Sequence, residues 1–444
     1  MAEGVDIACG RLQPQEYARN FDDLVPPLDP SGALVEADRC YFCYDAPCIE
    51  ACPTGIDIPS FIRKIATGNL RGSAIDILSA NVMGGVCARV CPTEILCEGA
   101  CVRNAQQDRP VKIGLLQRHA TDWLLEQGIQ PFERGAPSGR RVAVVGAGPA
   151  GLSCAHGCAL AGHEVVVFEA REKPGGLNEH GIAAYKVVND FAQKEVAFIT
   201  AVGGIEIRPG QTLGRDVRLA DLRNDFDAVF LAIGLAGVNV FGREDLTGVE
   251  SAVHYIERLR QAEDLAALPV GRDVVVIGGG STAIDIAIQS RRLGAGNVTI
   301  VYRRGLAQMG ATAHERELAQ VNGVKIVPWA RVLKLTGESG HVRAVTFEAT
   351  RLDDQNELVG TGEHFTLTVD MLFTAIGQKL VLDTDGSAGL LTIEQGKIVV
   401  DAERRTSLPG VWAGGDLVQG PDLTVVAVQD GKLAARSINR RLAQ

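Results

Sequence analysis

Apolar residues fall into two kinds of pattern along the chain. Short unbroken runs, Val142–Val145, Val165–Phe168, Val274–Ile277 and Val298–Val301, have the length and β-branched content of buried strands. Stretches with apolar positions three and four apart, Pro59–Thr67, Arg71–Leu78, Ile113–Gln127 and Thr424–Leu442, predict amphipathic helices. Helical spacing dominates up to about residue 135, and strands then alternate with helices as in parallel α/β folds. One strand pattern occurs twice, as Asp227-Ala-Val-Phe-Leu-Ala-Ile-Gly234 and Asp370-Met-Leu-Phe-Thr-Ala-Ile-Gly377. So close a repeat predicts two similar folds joined by crossing segments.

Two strands run straight into glycine turns that open helices. After Val145 comes Gly146-Ala147-Gly148-Pro149-Ala150-Gly151; the helix ends near Gly162, and the next strand closes on Glu169. This is a complete βαβ dinucleotide fingerprint. Gly146 allows the turn, Gly148 lets backbone approach a pyrophosphate, and Gly151 lets helix pack on strand. The helix N-terminus offers free amides to the diphosphate, and Glu169 is placed for a ribose hydroxyl. The second fingerprint, Gly278-Gly-Gly280-Ser281-Thr282-Ala283, has alanine in the third position, which the pattern permits. Its following strand ends not on an acid but on Tyr302, Arg303 and Arg304. A guanidinium pair grips a 2′-phosphate where a carboxylate would repel it, so NADPH is favoured over NADH.

Charge and cysteine content narrow the classes. A net charge of −10 argues against nucleic acid or acidic membrane as a general partner. No apolar run reaches the length of a bilayer span, and the N-terminus lacks the basic start and apolar core of a secretory signal, so a cytoplasmic location is expected. Of 11 cysteines, eight lie between Cys40 and Cys101. Disulfide scaffolds are short secreted chains, which makes metal or cluster ligation the better reading. The spacings are Cys40-x2-Cys43-x4-Cys48-x3-Cys52-Pro53 and Cys87-x3-Cys91-Pro92-x5-Cys97-x3-Cys101. Cys-Pro within each run resembles bacterial ferredoxins, whereas zinc usually takes paired C-x2-C knuckles and only Cys40/Cys43 has that form. Cys154 and Cys158 lack the CxxC spacing of a redox pair and read as packing thiols.

The run CYFCYDAPCIEACPTGIDIPSFIRKIATGN, followed by GGVCARVCPTEILCEGACV and PVKIGLLQRHATDW, resembles the N-terminal domain of dihydropyrimidine dehydrogenases. Glutamate synthase small subunits carry a related domain. From about Cys40 to Leu442 the chain resembles the NAD(P)H-oxidising half of such a dehydrogenase, of the kind made as a separate bacterial subunit. The resemblance implies two 4Fe-4S clusters with interleaved ligands. Cys40, Cys43, Cys48 and Cys101 would hold one; Cys52, Cys91, Cys97 and the amide oxygen of Gln117 would hold the other. Cys87 is then a spare thiol, although spacing alone makes it a ligand. The resemblance also sets the Lys173–Leu177 loop, with Gly176 and Leu177, against FAD, and Lys186 where relatives have an arginine near the flavin. Thr374, Ala375 and Ile376 join the cofactor contacts at the end of the repeat. Gly415 and Asp416 meet the ribityl or pyrophosphate region, and the helix starting near Thr424 points at the flavin pyrimidine, where its positive end favours negative charge on reduced flavin.

The expected fold class is α/β: an N-terminal α-helical iron-sulfur domain, 1–138, followed by two Rossmann-like dinucleotide-binding domains with cores separate from it. FAD takes the discontinuous part 139–240 and 376–444, and NAD(P)H takes 241–375. No side chain is assigned a catalytic role. No stretch remains for a (β/α)8 barrel of about 250 residues, so a pyrimidine-reducing site is expected on a partner subunit carrying FMN and iron-sulfur centres. The rival readings are a glutamate synthase small subunit, a ferredoxin:NAD(P)+ oxidoreductase, and a scaffold that has lost its cofactors. The glutamate synthase subunits usually show C-x2-C-x3-C where this chain has Cys91-x5-Cys97-x3-Cys101.

Overall fold

A computed structural model describes residues 5–444 apart from 240, 241, 243, 244 and 383–387. The chain forms two compact units. The larger comprises Val25–Glu179, Asn189–Ala236 and Leu380–Gln444. It starts with the helices Pro30–Ala37, Ile58–Ala66, Leu70–Ala80, Gly84–Val90 and Ile113–Glu126. Ile58–Ala66 illustrates their local logic. The Asp57 side chain accepts from the Ser60 N–H, Pro59 occupies the first turn, and Ile58, Phe61, Ile62 and Ile65 form the buried face.

A parallel sheet completes this unit, in the order Val411–Ala413, Ala228–Leu231, Arg141–Val145, Glu164–Phe168, Ile205–Arg208. The helices Pro149–Leu160 and Thr424–Leu442 pack closely, and Gly431 makes this possible: any side chain there would strike the Ala150 carbonyl oxygen. The expectation of separate cores does not hold. Phe61, Ile77 and Leu116 of the helical lobe belong to one contiguous apolar cluster with Val142, Ala155 and Ile438 of the flavin-side fold. The cause is packing: the Gly84–Val90 and Ile113–Glu126 helices lie against the Phe191–Thr200 helix as well as against each other.

The smaller unit comprises residues 5–24, His180–Val188 and Gly237–Lys379. Its parallel sheet runs Val324–Val327, Asn297–Val301, Asp273–Gly278, Met371–Ala375, Val249–Ser251. An antiparallel meander follows the first of these strands in sequence: Ala330–Glu338, His341–Leu352 and Leu358–Thr368. Residues 5–24, placed by the sequence reading at the start of the iron-sulfur domain, group here instead. Ile7–Ala8 pairs with Val270–Gly271, and Tyr17 of the Pro14–Asn20 helix is buried. The expected border between residues 240 and 241 lies outside the described residues. Among the described residues, no helix is long and apolar enough to cross a membrane.

The α/β class, with a helical N-terminal part and two dinucleotide-type folds, is as expected. The internal repeat acquires a physical reason. Each copy supplies the strand beside a fingerprint strand, Ala228–Leu231 beside Arg141–Val145 and Met371–Ala375 beside Asp273–Gly278. Each also ends against the first fingerprint glycine. A Cβ on Gly146 (φ +104°) would collide with the Ala232 carbonyl, and one on Gly278 (φ +153°) with the Ala375 carbonyl.

Gly431→Ala should force apart the helices that carry the first fingerprint and the C-terminus. Overpacking of this kind costs about 1–3 kcal/mol. The expected result is a lower denaturation midpoint together with weaker FAD retention, read by chemical unfolding and by released-flavin fluorescence. An unchanged midpoint would contradict this account of the helix contact.

Candidate functional site

In the larger unit, the residues assigned to FAD converge on the first fingerprint turn. The Pro149–Leu160 helix starts from Gly148 with no side chain capping it, so its first amides face outward for an anion. A Cβ on Gly151 would strike the Gly146 carbonyl, which accounts for the third glycine as a packing requirement. The Gly175–Leu177 loop folds onto the same turn: Gly175 N–H donates to the Ala147 carbonyl at 2.8 Å, and Gly176 lies directly against Gly148. Buried Glu169 accepts from the Ala147 N–H at 2.7 Å and from the Arg171 N–H at 2.9 Å. A carboxylate has about four acceptor positions, so capacity remains for a ribose hydroxyl.

Gly415 sits over Ala150, and its N–H donates to Asp430 Oδ2 at 2.9 Å. Burial, reinforced by Asp422 and Asp430, pushes the neighbouring Asp416 carboxyl up to about 6. Thr424 begins its helix with its hydroxyl donating to Asn178 Oδ1 at 3.1 Å, one residue from Leu177. Gly146–Gly151, Glu169, Gly176, Leu177, Gly415, Asp416 and Thr424 thus lie in one unit around one turn.

In the smaller unit, the Ser281–Arg292 helix starts from Gly280, again without a side-chain cap, and nothing lies within 4 Å of the position a Gly280 Cβ would take. Ala283 is buried, and Ser281 donates to Glu315 Oε2 at 3.1 Å. Thr282 follows Ser281 in the first turn of that helix. Thr374 and Ala375 end the strand beside Gly278, and Ile376 follows, exposed. The Tyr302 ring packs against Gly279 and its hydroxyl donates to the Gln308 carbonyl at 2.7 Å. Arg303 is exposed and Arg304 half-buried; among the described residues neither guanidinium has an acidic partner. Their backbone is fixed, since Thr350 Oγ1 donates to the Arg303 carbonyl and Trp329 N–H to that of Arg304. Lys186 also belongs here: its Nζ lies 2.7 Å from Asp285 and 3.7 Å from Glu315. Burial opposes its charge, but the two carboxylates outweigh burial and hold its pKa above the usual lysine value.

The cysteines of the helical lobe are free thiols. Cys40, Cys43, Cys48 and Cys101 line one cavity, walled by Ile58, Ile62, Val111 and Ile113. Burial, then the nearby Cys40 and Cys101, pushes the Cys48 thiol up to about 12, and burial likewise raises Cys40. Thiols in apolar surroundings ionise with difficulty unless a metal takes the proton's place. Among the described residues no three potential ligands meet at a point suited to a single ion. The four thiols instead surround a volume, an arrangement that fits a polynuclear cluster. Cys91 is raised by a hydrogen bond with Cys87 and by burial, and it also feels Cys97 and Cys52; burial raises Cys97, which feels Cys52 as well. Gln117 is buried with its Nε2 donating to the Gly84 carbonyl at 2.7 Å, which leaves its oxygen as the acceptor end. Cys87 is buried one turn before Cys91. Cys154 and Cys158 are buried in the core.

Comparison with known proteins agrees with both halves. Residues 140–431 match the family described as pyridine nucleotide-disulphide oxidoreductase, and residues 17–129 match dihydropyrimidine dehydrogenase domain II, 4Fe-4S cluster. The chain belongs to the pyridine nucleotide-disulphide oxidoreductases, in the branch that joins this fold to the 4Fe-4S domain of dihydropyrimidine dehydrogenase. It is an NAD(P)H-dependent flavin oxidoreductase whose cofactors are FAD, NAD(P)H and 4Fe-4S iron. It is 35% identical over 428 residues to the NAD-dependent dihydropyrimidine dehydrogenase subunit PreT of Salmonella typhimurium, covering 96% of this chain and 98% of that one. The glutamate synthase (NADPH) small chain of Escherichia coli is 32% identical over 444 residues, covering 94% and 93%. Among solved structures, the FprA protein of Mycobacterium tuberculosis with NADPH superposes with a TM-score of 0.58 at 20% identity, over 68% of this chain and 85% of that one. Thioredoxin reductase of T. acidophilum gives 0.54 at 23%, over 69% and 100%. These two likenesses concern the fold alone.

Sequence reading passed over three residues that the structure brings to the site: Asn178 under Thr424, Asp430 under Gly415, and Lys432 beside the Cys52 loop. Asn178 and Lys432 find partners hundreds of residues away, and Asp430 one 15 residues away across a loop, so no local spacing announces them.

The Arg303 and Arg304 pair gives a discriminating test. Arg303→Ala should weaken NADPH by the loss of a charge-assisted contact, about 1.5–3 kcal/mol or roughly 10- to 150-fold, and leave NADH nearly unchanged. Equal effects on the two nucleotides in steady-state kinetics would remove the assignment.

Proposed function

We propose that this protein is the electron-input subunit of a dihydropyrimidine dehydrogenase. It oxidises NAD(P)H and supplies electrons to a separate FMN- and iron-sulfur-containing subunit, where uracil or thymine is reduced to the 5,6-dihydropyrimidine. The observation that carries this reading is the shared packing of two sites in one unit: the glycine turns assigned to FAD and the thiol-lined cavity of the helical lobe. Bound flavin accepts a hydride's two electrons together and releases them singly, and each 4Fe-4S cluster carries one.

In this assignment Gly146–Gly151, Glu169, Gly176, Leu177, Gly415, Asp416 and Thr424 hold FAD. Gly278, Gly280, Ser281, Thr282, Ala283, Arg303, Arg304 and Thr374–Ile376 hold the nucleotide, and Lys186 completes the cofactor contacts. Cys40, Cys43, Cys48 and Cys101 hold one cluster; Cys52, Cys91, Cys97 and Gln117 hold the other. Contacts from the flavin side reach the second set's neighbourhood. Asn178 Nδ2 lies 3.9 Å from Met83 Sδ, and Glu195 accepts from the Gly85 and Val86 N–H groups at 2.9 and 3.1 Å. Around the first set, Tyr41 and Tyr44 are exposed, which suits a surface that a partner covers. NADPH is the proposed donor on the strength of Arg303 and Arg304, which have no acidic partner among the described residues, although the Salmonella relative is named NAD-dependent. The likeness to a glutamate synthase small chain keeps a second partner class in view.

The purified chain should contain FAD and about eight irons rather than zinc. It should oxidise NAD(P)H with an artificial acceptor and form no dihydrouracil until the FMN-barrel subunit is added. Product from this chain alone would overturn the division of labour. Restoration of glutamate formation by a glutamate synthase large subunit, with none of pyrimidine reduction, would favour the second partner class.

A further inference from the structure

Lys432 lies two turns into the Thr424–Leu442 helix, whose N-terminus is assigned to the flavin. Its ammonium leaves that helix and enters the helical lobe. Nζ donates to the Thr54 carbonyl at 2.7 Å and to the Ala80 carbonyl at 2.8 Å. Ala80 closes the Leu70–Ala80 helix, where unpaired carbonyls carry partial negative charge. Thr54 is two residues from Cys52, and its hydroxyl lies 3.4 Å from the Cys52 sulfur. A single cation therefore joins the flavin-side helix, the end of a lobe helix and the loop of one assigned ligand. Two of its three N–H donors are committed to carbonyls, and among the described residues none meets an acid. The capping of carbonyls alone could be met by a neutral donor or by water, so the charge itself needs a further reason.

We infer that Lys432 is a positioning residue for electron transfer, placing a positive charge beside the cluster held by Cys52, Cys91, Cys97 and Gln117 and holding that cluster's loop against the flavin-side helix. Cluster potentials respond to nearby charge, to hydrogen bonds around the sulfurs and to solvent exposure. An adjacent cation favours the reduced form, which carries one more negative charge. The consequence is selectivity between the two clusters, because the carbonyls that Lys432 binds are those of Thr54, two residues past Cys52, and of Ala80. The inference rests on the ligand assignment above.

The test is a potentiometric titration of the full chain followed by electron paramagnetic resonance, with iron content measured alongside. Lys432→Gln keeps a donor and loses the charge; Lys432→Met loses both; Lys432→Arg keeps the charge. Gln and Met should each lower the midpoint of one cluster by on the order of tenfold in its reduction equilibrium, about 59 mV for one electron. The other cluster should not move, and Arg should restore most of the shift. If Met loses iron, the Gln variant decides. An unshifted midpoint in Lys432→Gln with iron intact, or equal shifts in both clusters, would overturn the role of Lys432. Absence of a second cluster signal from the unaltered protein would instead defeat the ligand assignment.

Discussion

Ionising a thiol in an apolar cavity is costly, and the helical lobe is built around thiols that pay that cost together. Cys40, Cys43, Cys48 and Cys101 share one cavity, and Ile58, Ile62, Val111 and Ile113 give it an apolar wall while the thiols stay half-buried. Burial raises Cys40, Cys48 and Cys97, and Cys91 is raised first by its hydrogen bond with Cys87 and then by burial. Such a set stays protonated until a cationic group binds it, since metal coordination removes the thiol proton outright. The lobe's short helices bring the sulfurs together from loops that are otherwise far apart in sequence. Their fold and their metal are therefore one problem in stability.

That lobe is not a detachable module. Its apolar core continues into the core under the first fingerprint, and buried Glu195 reaches from the flavin side to the amides that start the Gly84–Val90 helix. Burial pushes Glu195 up to about 8, even though the Val86 and Gly85 amides and Arg89 favour its charged form. Contacts of this kind fix separation as well as stability. The Gly84–Val90 helix, which ends at Cys91, is thereby held against the flavin-side fold.

Much of this was legible in the sequence because the decisive residues are local. Gly146–Gly151 and Gly278–Ala283 are short motifs whose geometry follows from missing side chains, and the Asp227 and Asp370 repeats announce the paired folds. Their alanine carbonyls at 232 and 375 turn out to abut the first glycine of each motif, a contact that explains the repeat and that no periodicity could reveal. The cysteine spacings identified the lobe's chemistry, but the partition of ligands required a family resemblance. The shared core was misjudged because the Gly135–Gly139 linker reads as a break in the chain, whereas packing is decided by Phe191–Thr200, some fifty residues later. Residues 5–24 escaped for a similar reason: their strand partner, Val270–Gly271, lies on the far side of the sequence. Lys186 pairs with Asp285 and Glu315, ion pairs that only three-dimensional proximity can define.

The central claim is that one chain converts a two-electron donor into single electrons. Coulometric titration of the purified protein, with optical and paramagnetic spectra recorded at each addition, counts its electron capacity directly. One flavin and two clusters together should take up about four electrons per chain, two at the flavin and one at each cluster. An uptake of about two, with all the change in the flavin spectrum, would contradict the account.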